Sequence, residues 1–98
     1  MKKITRATVK SFIKKNQGSL YINVKGQFDG MTDGIESRNA GFVKATVDPD
    51  YRCQINTLGI AGLWLVGGDD RYSAYDDSVF EGIAYYNCCG NGVLAIQK

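Results

Sequence analysis

Alternation of apolar and polar residues over one stretch limits what this chain can fold into more than any other feature. Between Leu20 and Phe28 a nine-residue stretch places apolar side chains two positions apart, with polar side chains between them. This spacing is typical of a strand with one buried face and one wet face, because successive side chains of a strand point to opposite sides. The apolar set is Leu20, Ile22, Val24 and Phe28, and the polar set is Tyr21, Asn23, Lys25 and Gln27. The stretch therefore predicts a half-buried strand at which a sheet begins.

A helix is predicted to precede this strand, over residues 5–16. Thr5 suits the N-cap position, because its hydroxyl can accept a hydrogen bond from a free amide of the first turn. Gly18 follows the predicted helix, and glycine commonly ends a helix in a left-handed conformation. The apolar residues that share one helical face are Val9, Phe12 and Ile13.

A stripe of basic residues, Arg6, Lys10 and Lys14, lies on another face of the predicted helix. The first 25 residues hold seven basic residues and no acid, whereas residues 26–98 hold five basic and ten acidic residues. One interpretation is a solvated face that keeps the protein soluble. The other is a contact to nucleic-acid phosphates or to an acidic protein surface. The chain shows no helix-turn-helix, zinc-finger or RNP signature, which argues against base-specific reading of nucleic acid.

Several later segments also read as strands, separated by glycine and aspartate. Side chains alternate between two faces over residues 41–47, which predicts a second strand. Pro49 stops this strand, because proline cannot continue a central ladder. Residues 58–66 form the most apolar run and predict a core strand, in which Trp64 is interpreted as a core anchor in preference to a platform for a ligand. Residues 80–88 and 93–96 predict a closing hairpin, with Gly90-Asn91-Gly92 as its turn and with Tyr85 and Tyr86 on opposite faces. We therefore expect one α+β domain over residues 1–98, with an N-terminal helix packed on an antiparallel sheet of about four to six strands.

Two polar segments are candidate binding surfaces. Residues 29–36 combine acids with Asp-Gly turn dipeptides, and residues 71–77 crowd arginine, tyrosine and aspartate into an expected surface loop. Tyrosine and arginine are enriched at binding hot spots, although a loop with a local Arg71–aspartate pair would explain the second segment equally well. The candidate partner-binding residues are Asp29, Asp33, Glu36, Arg71, Tyr72, Tyr75, Asp76 and Asp77.

The residue types present exclude several common kinds of catalytic and metal-binding site. The chain has no histidine, which removes the usual general base and the commonest zinc ligand. Spacing at Asp29, Asp33 and Glu36 does not fit an EF-hand, and no P-loop or dinucleotide fingerprint occurs. We therefore expect no catalytic residue, no metal site and no cofactor, although acids from distant loops could still assemble an enzyme site.

The cysteines and the apolar pattern bear on the compartment. Cys53, Cys88 and Cys89 are odd in number, and adjacent cysteines rarely bond to each other, so a disulfide framework is not expected. No apolar run suits a membrane span or a signal peptide, so we expect a cytoplasmic protein without membrane contact. A sheet with a single helix can leave one face uncovered, so we expect either a monomer or a homodimer that uses Tyr21, Tyr85 or Tyr86.

Four blocks of the sequence carry a resemblance to known proteins. They are Phe28-Asp-Gly-Met-Thr-Asp33, Leu63-Trp-Leu-Val-Gly67 and Tyr86-Asn-Cys-Cys-Gly90, together with the opening residues 3–13. Through these blocks, and over nearly its full length, the chain resembles a family of small orphan proteins of phages and other mobile elements. No activity is attached to that family, so the resemblance implies no catalytic residue. It implies a context, in which small proteins without catalytic motifs are often inhibitors of bacterial defence, including anti-CRISPR proteins.

The leading expectation is a non-enzymatic phage or mobile-element inhibitor that occludes a surface of a host defence protein, for example a Cas protein. One alternative is a small nucleic-acid-binding accessory protein that uses the basic helix, with a steep dependence on salt. Another is a sponge that captures a nucleotide signal in a pocket of tyrosine and arginine.

Overall fold

The computed structural model describes one helix and eight strands within six ranges of the chain. These are residues 3–27, 41–50, 52–57, 60–66, 70–87 and 90–98. The elements are α1 (Arg6–Lys15), β1 (Tyr21–Gln27), β2 (Val43–Lys44), β3 (Thr46–Val47), β4 (Gln54–Thr57), β5 (Ile60–Trp64), β6 (Arg71–Asp76), β7 (Phe80–Asn87) and β8 (Gly90–Gln97). The fold is α+β, as predicted.

Local sequence signals set both ends of α1. The Thr5 hydroxyl accepts from the Thr8 amide at 3.4 Å, and the Thr8 hydroxyl accepts from the Thr5 amide at 3.2 Å, which closes a reciprocal N-terminal cap. Lys14 and Lys15 occupy the last turn, where they complement the negative end of the helix dipole. Gly18 has a φ of +85°, so the predicted left-handed glycine after the helix is confirmed.

Two antiparallel sheets follow the helix. The larger sheet has five strands in the order β2-β1-β8-β7-β6, and the smaller sheet has the order β3-β4-β5. β1 lies between β2 and β8, and its predicted alternation holds at Leu20, Ile22 and Val24, which are buried. Asn23 was expected to face water but is only 8% exposed, because the second face of the sheet is also partly covered. Phe28 lies outside the described residues.

The core lies between one face of the larger sheet and a layer formed by α1 and the smaller sheet. The helix contributes Val9 and Ile13, both fully buried. The smaller sheet and the segments next to it contribute further apolar side chains, and the larger sheet contributes its inward face. The remaining members of this cluster are Leu20, Ile22, Val24, Ala45, Val47, Cys53, Ile55, Leu65, Val66, Ile83, Tyr85 and Leu94.

Four aromatic side chains cluster on the opposite face of the larger sheet. The ring centroids of Phe42 and Phe80 lie 4.1 Å apart in a stacked arrangement. Tyr21 lies 5.3 Å from Phe80, and Tyr75 lies 5.8 Å from Phe42. Ala95 points to this second face of the sheet, away from the helix. It is completely buried because the aromatic cluster covers it.

Three expectations about strands need correction. Residues 41–47 form two short strands in different sheets, because the chain passes at Ala45 from a pairing with β1 to a pairing with β4. Residues 71–76 form β6 instead of a surface loop, because they pair along their whole length with β7. Residues 90–92 lie inside β8 and not in the turn, since Asn87 pairs with Gly90.

The hairpin itself and the opposite orientations of its two tyrosines are confirmed. Tyr85 is 5% exposed and Tyr86 is 56% exposed. No helix in the described part of the chain has the length and the apolar character needed to cross a membrane.

Candidate functional site

A groove of about 530 Å³ opens on the smaller sheet and is lined by Asp48, Asp50, Arg52, Gln54 and Trp64. It combines one large aromatic ring, one guanidinium, one amide and two carboxylates. All five residues come from β4, β5 and the turn between β3 and β4, so the groove belongs to a single structural unit.

Trp64 lines the groove because of the register between β4 and β5. It is directly opposite Gln54, whose side chain is exposed. The next residue of β4, Ile55, points the other way and is completely buried. Trp64 therefore lies on the outer face of the smaller sheet and is only partly buried, and its interpretation as a core anchor is wrong.

Arg52 packs its guanidinium over the indole ring of Trp64. The guanidinium carbon lies 4.5 Å from the ring centroid, within the range of a cation–π interaction. The main chain of this region is held as well, because the Val66 amide donates to the Arg52 carbonyl at 3.0 Å. The Leu65 amide likewise donates to the Cys53 carbonyl at 3.3 Å. The arginine thus extends from a backbone that is tied to the chain just after β5.

The turn that carries the two carboxylates is held by its own hydrogen bonds. Asp48 Oδ1 accepts from the Asp50 amide at 2.9 Å, and the Cys53 amide donates to the Asp50 carbonyl at 2.8 Å. The Asp48 amide donates to the Gln54 carbonyl at 2.9 Å. Cys53 adopts a φ of +53°, a left-handed conformation that is uncommon for residues other than glycine. Both aspartates are exposed, so the turn presents two carboxylates to solvent in a defined geometry.

Cys53 lies beneath this turn as a free and completely buried thiol. Burial raises the pKa of the Cys53 thiol, Lys10 opposes the shift, and Asp48, Asp50 and Asp70 add to it. A raised pKa keeps the sulfur protonated at neutral pH, which makes it a poor nucleophile. The cysteine therefore supports the turn from the core side. Cys88 and Cys89 lie outside the described residues.

The side chains predicted to bind a partner on residues 71–77 mostly contact their own fold. The Tyr72 hydroxyl donates to the Leu65 carbonyl at 3.1 Å, and burial raises the pKa of this tyrosine. The Tyr75 hydroxyl donates to Asp77 Oδ2 at 2.6 Å. Asp76 forms an ion pair with Lys98.

Asp77 closes the turn between β6 and β7. Its Oδ1 accepts from the amides of Val79 and Phe80 at 2.7 and 2.6 Å. These bonds, with that from the Tyr75 hydroxyl as the largest cause, lower the pKa of the Asp77 carboxyl. Arg71 is exposed at the start of β6. The structure thus brings these five predicted residues onto one strand and its turn, and their role in binding stays a prediction.

The basic stripe on α1 is not a uniform solvent face. Arg6 Nε lies 2.7 Å from Asp70 Oδ2, and the side chain of Asp70 is only 3% exposed. Lys10 is partly buried, whereas Lys14 is exposed. Of the three residues, Arg6 therefore has a structural partner in the fold. The other predicted site residues, Asp29, Asp33 and Glu36, lie outside the described part of the chain.

Sequence reasoning missed the groove for an identifiable reason. Asp48 and Asp50 flank Pro49, and in the sequence the three residues indicate only the end of a strand. The residues that follow show no clear helical or strand periodicity in their apolar positions. Alternation within residues 52–56 is visible in hindsight, with Arg52, Gln54 and Asn56 on one side of the chain. Nothing in the sequence, however, indicates that Trp64 pairs with Gln54.

The described residues contain no group of three or more acids or cysteines that could hold a metal ion. Comparison with protein-family models, with curated proteins and with solved structures finds no match. The groove is therefore characterised by its own geometry: an aromatic face, a fixed cation and two exposed carboxylates.

Proposed function

We propose that this protein is a non-enzymatic binding module that occludes a surface of a protein partner, with the groove at Arg52 and Trp64 as its main contact. The observation that carries the proposal is the pairing of an outward-facing tryptophan and arginine with two carboxylates on a hydrogen-bonded turn. Tryptophan and arginine are among the residue types that contribute most to protein interfaces. A rigid turn also loses little conformational entropy on binding.

The chemistry of the groove suits a basic side chain of the partner. The Asp48 and Asp50 carboxylates are hydrogen-bond acceptors only, and a lysine or arginine of the partner supplies donors of opposite charge. The Arg52 guanidinium lies over one face of the Trp64 ring, and the rest of the indole offers apolar area against which the stem of such a side chain can pack. The excess of acids in residues 26–98 favours the same kind of partner through long-range attraction.

Within this proposal, the partner is a host defence complex that holds nucleic acid in a basic channel, such as a CRISPR–Cas effector. The resemblance to small phage and mobile-element proteins supports this class of partner. The carboxylates would then compete with phosphates for lysine and arginine side chains of the channel. This action takes place in the cytoplasm of a bacterial host.

The two alternatives have weaker support in the geometry. On α1, Arg6 forms an ion pair with Asp70. A nucleic-acid phosphate at this helix would have to compete with the Asp70 carboxylate for the Arg6 guanidinium. A nucleotide signal in the groove would bring phosphates close to Asp48 and Asp50, and like charges repel.

A phage-plating assay tests the proposal. The protein is expressed in bacteria whose CRISPR–Cas system targets the infecting phage, and we expect plating to recover. Asp48→Asn with Asp50→Asn removes both charges but keeps an oxygen at position 48 for the Asp50 amide. We expect this double variant and Trp64→Ala to lose most of the recovery. Binding of either variant to the purified effector should weaken by about tenfold or more, as for a hot-spot residue.

Asn56→Ala is the matched control, since it changes an exposed side chain of the same strand outside the groove. It should retain full activity. A native chain that changes plating against none of the defence systems tested would reject the defence-inhibitor proposal. Full activity of Trp64→Ala would reject the groove as the contact.

A further inference from the structure

The outer side of β6 forms a long edge of the larger sheet. β6 is last in the strand order, and in the described part of the chain only β7 pairs with it. Its six residues contain no proline, and its register with β7 runs without a shift from Arg71 to Asp76. The opposite edge, β2, is only two residues long. β6 therefore lacks two of the devices, proline and a bulge, by which natural proteins block pairing at a sheet edge.

The hydrogen bonds at the end of the hairpin show which groups of β6 point outward. The Asp77 amide donates to the Phe80 carbonyl at 2.9 Å, so these two residues form a hydrogen-bonded pair. Hydrogen-bonded and non-bonded pairs alternate along an antiparallel ladder. Arg71, Ser73 and Tyr75 therefore direct their amides and carbonyls towards β7. The residues whose amides and carbonyls point to the open edge are Tyr72, Ala74 and Asp76.

A bond on the other side of β7 supports this assignment. The Lys98 amide donates to the Val79 carbonyl at 2.8 Å, so odd-numbered residues of β7 bond to β8. Even-numbered residues of β7 then bond to β6, and these are the partners of Arg71, Ser73 and Tyr75.

We propose that β6 pairs in antiparallel orientation with β6 of a second copy of this chain, with Ala74 on the two-fold axis. Only residues with outward amides and carbonyls can bond across the new junction. Among the registers this allows, the one centred on Ala74 pairs the largest number of them. It places Tyr72 opposite Asp76 and Ala74 opposite Ala74, which gives about six main-chain hydrogen bonds at two per pair.

The charges in this register are complementary. It places Arg71 of each copy directly opposite Asp77 of the other, and opposite charges across a strand pair stabilise a sheet. Asp77 Oδ2 accepts one hydrogen bond among the described residues, from Tyr75, so it has room for a second donor. No two like charges are opposed within residues 71–77. Because the charges of β6 complement those of a second, antiparallel β6, we expect the partner at this edge to be another copy of the same chain.

The dimer does not depend on the proposed function, because the groove at Arg52 and Trp64 lies on the smaller sheet. Sedimentation of the full chain over a range of concentrations tests it, and we expect a reversible monomer–dimer equilibrium. Ala74→Pro removes an amide that points to the open edge, so the ladder with β7 stays intact. Because both copies carry the change, two central hydrogen bonds are lost, and the dimer dissociation constant should rise by about tenfold or more.

Amide exchange of the unmodified protein gives a second measurement that does not require a folded variant. The amides of Tyr72, Ala74 and Asp76 should exchange more slowly as the protein concentration rises. Those of Ser73 and Tyr75 should be protected at every concentration by their bonds to β7. A chain that stays monomeric at the highest concentration would overturn the proposal. So would exchange at Tyr72, Ala74 and Asp76 that is independent of concentration.

Discussion

At the scale of single residues, side chains of the types that suggest binding often stabilise the fold instead. Asp77 accepts three hydrogen bonds in the turn after β6, and Tyr75 supplies one of them. Arg6 forms an ion pair with Asp70, whose carboxylate is almost completely buried. In both cases a charged side chain that looks available in the sequence is bonded within its own fold, Asp77 to its neighbours in the turn and Arg6 to a residue 64 positions away.

The Arg6–Asp70 pair leads to a prediction about stability. Arg6→Ala removes a donor from the buried Asp70 carboxylate, and a buried charged group that loses a hydrogen bond is costly. We expect the free energy of unfolding to fall by about 1–3 kcal/mol in urea denaturation. Lys14→Ala is the control on the same helix and should change stability by no more than about 0.5 kcal/mol. Equal stability of the two variants would contradict the structural role of Arg6.

At the scale of elements, the close approach of β7 and β8 explains why a glycine stands in a central strand. Gly82 is opposite Ala95, which lies beneath the aromatic cluster of the second face. A Cβ atom at position 82 would overlap the Leu94 carbonyl oxygen and would lie 2.6 Å from the Ala95 Cα. These are backbone atoms of a paired strand, and they cannot move aside without disturbing the ladder.

Gly82→Ala is therefore expected to destabilise the protein by about 1–3 kcal/mol, the usual cost of overpacking a well-filled site. Chemical denaturation measures the change. Ser73→Ala on the neighbouring strand changes an exposed side chain and should be close to neutral. A Gly82→Ala variant as stable as the native chain would mean that β7 and β8 are not held at this separation.

At the scale of the whole molecule, the two sheets meet through tyrosine and asparagine as well as through apolar residues. Tyr72 bonds from the larger sheet to the Leu65 carbonyl after β5, and the Asn87 side chain bonds to the carbonyls of Trp64 and Leu65. Tyr85 lies buried in the same layer. These contacts connect the groove on the smaller sheet to the larger sheet.

Alkaline pH should weaken this packing. Burial raises the pKa of Tyr85 above its ordinary value of 10.0, so the folded protein favours the neutral phenol. Its contribution to stability is fully present below pH 10.0 and is lost as the pH rises above that value towards the folded pKa. The free energy of unfolding should then fall by up to about 1.4 kcal/mol per pH unit because of Tyr85 alone.

Denaturation at a series of pH values between neutral and strongly alkaline tests this expectation. Tyr85→Phe removes one ionisable group and should make the alkaline decline shallower, while Tyr72, whose pKa burial also raises, still contributes to it. Tyr86→Phe changes the neighbouring, mostly exposed tyrosine and should leave the decline unchanged. An identical slope for the native protein and Tyr85→Phe would show that this phenol does not govern the alkaline response.

Much of the fold follows from short-range patterns. The limits of α1 were predictable because Thr5 and Gly18 act through contacts with their immediate neighbours. The alternation at Leu20, Ile22 and Val24 predicted which side of β1 is buried, since a strand with one apolar face has only one way to bury it. The hairpin of β7 and β8 was predictable for the same reason, although its turn was misplaced because glycine also occurs inside paired strands.

The candidate site could not be predicted in this way. Strand geometry predicts that the adjacent residues Trp64 and Leu65 point to opposite faces of the sheet. It does not predict which of the two faces packs against the larger sheet. That depends on where the smaller sheet packs, and the packing left Trp64 on the outside, next to Arg52 and the turn at Asp48 and Asp50.

Short-range patterns were enough to predict the α+β class, the helix with its N-cap and its left-handed glycine, the buried face of β1 and the presence of the closing hairpin, because each depends on residues a few positions apart. Tertiary packing alone explains the change of sheet at Ala45, the burial of Asp70 beside Arg6, the outward position of Trp64 and the place of β6 at the edge of the sheet in the described part of the chain. Each of these depends on contacts between distant segments, and the same local pattern is compatible with more than one such arrangement.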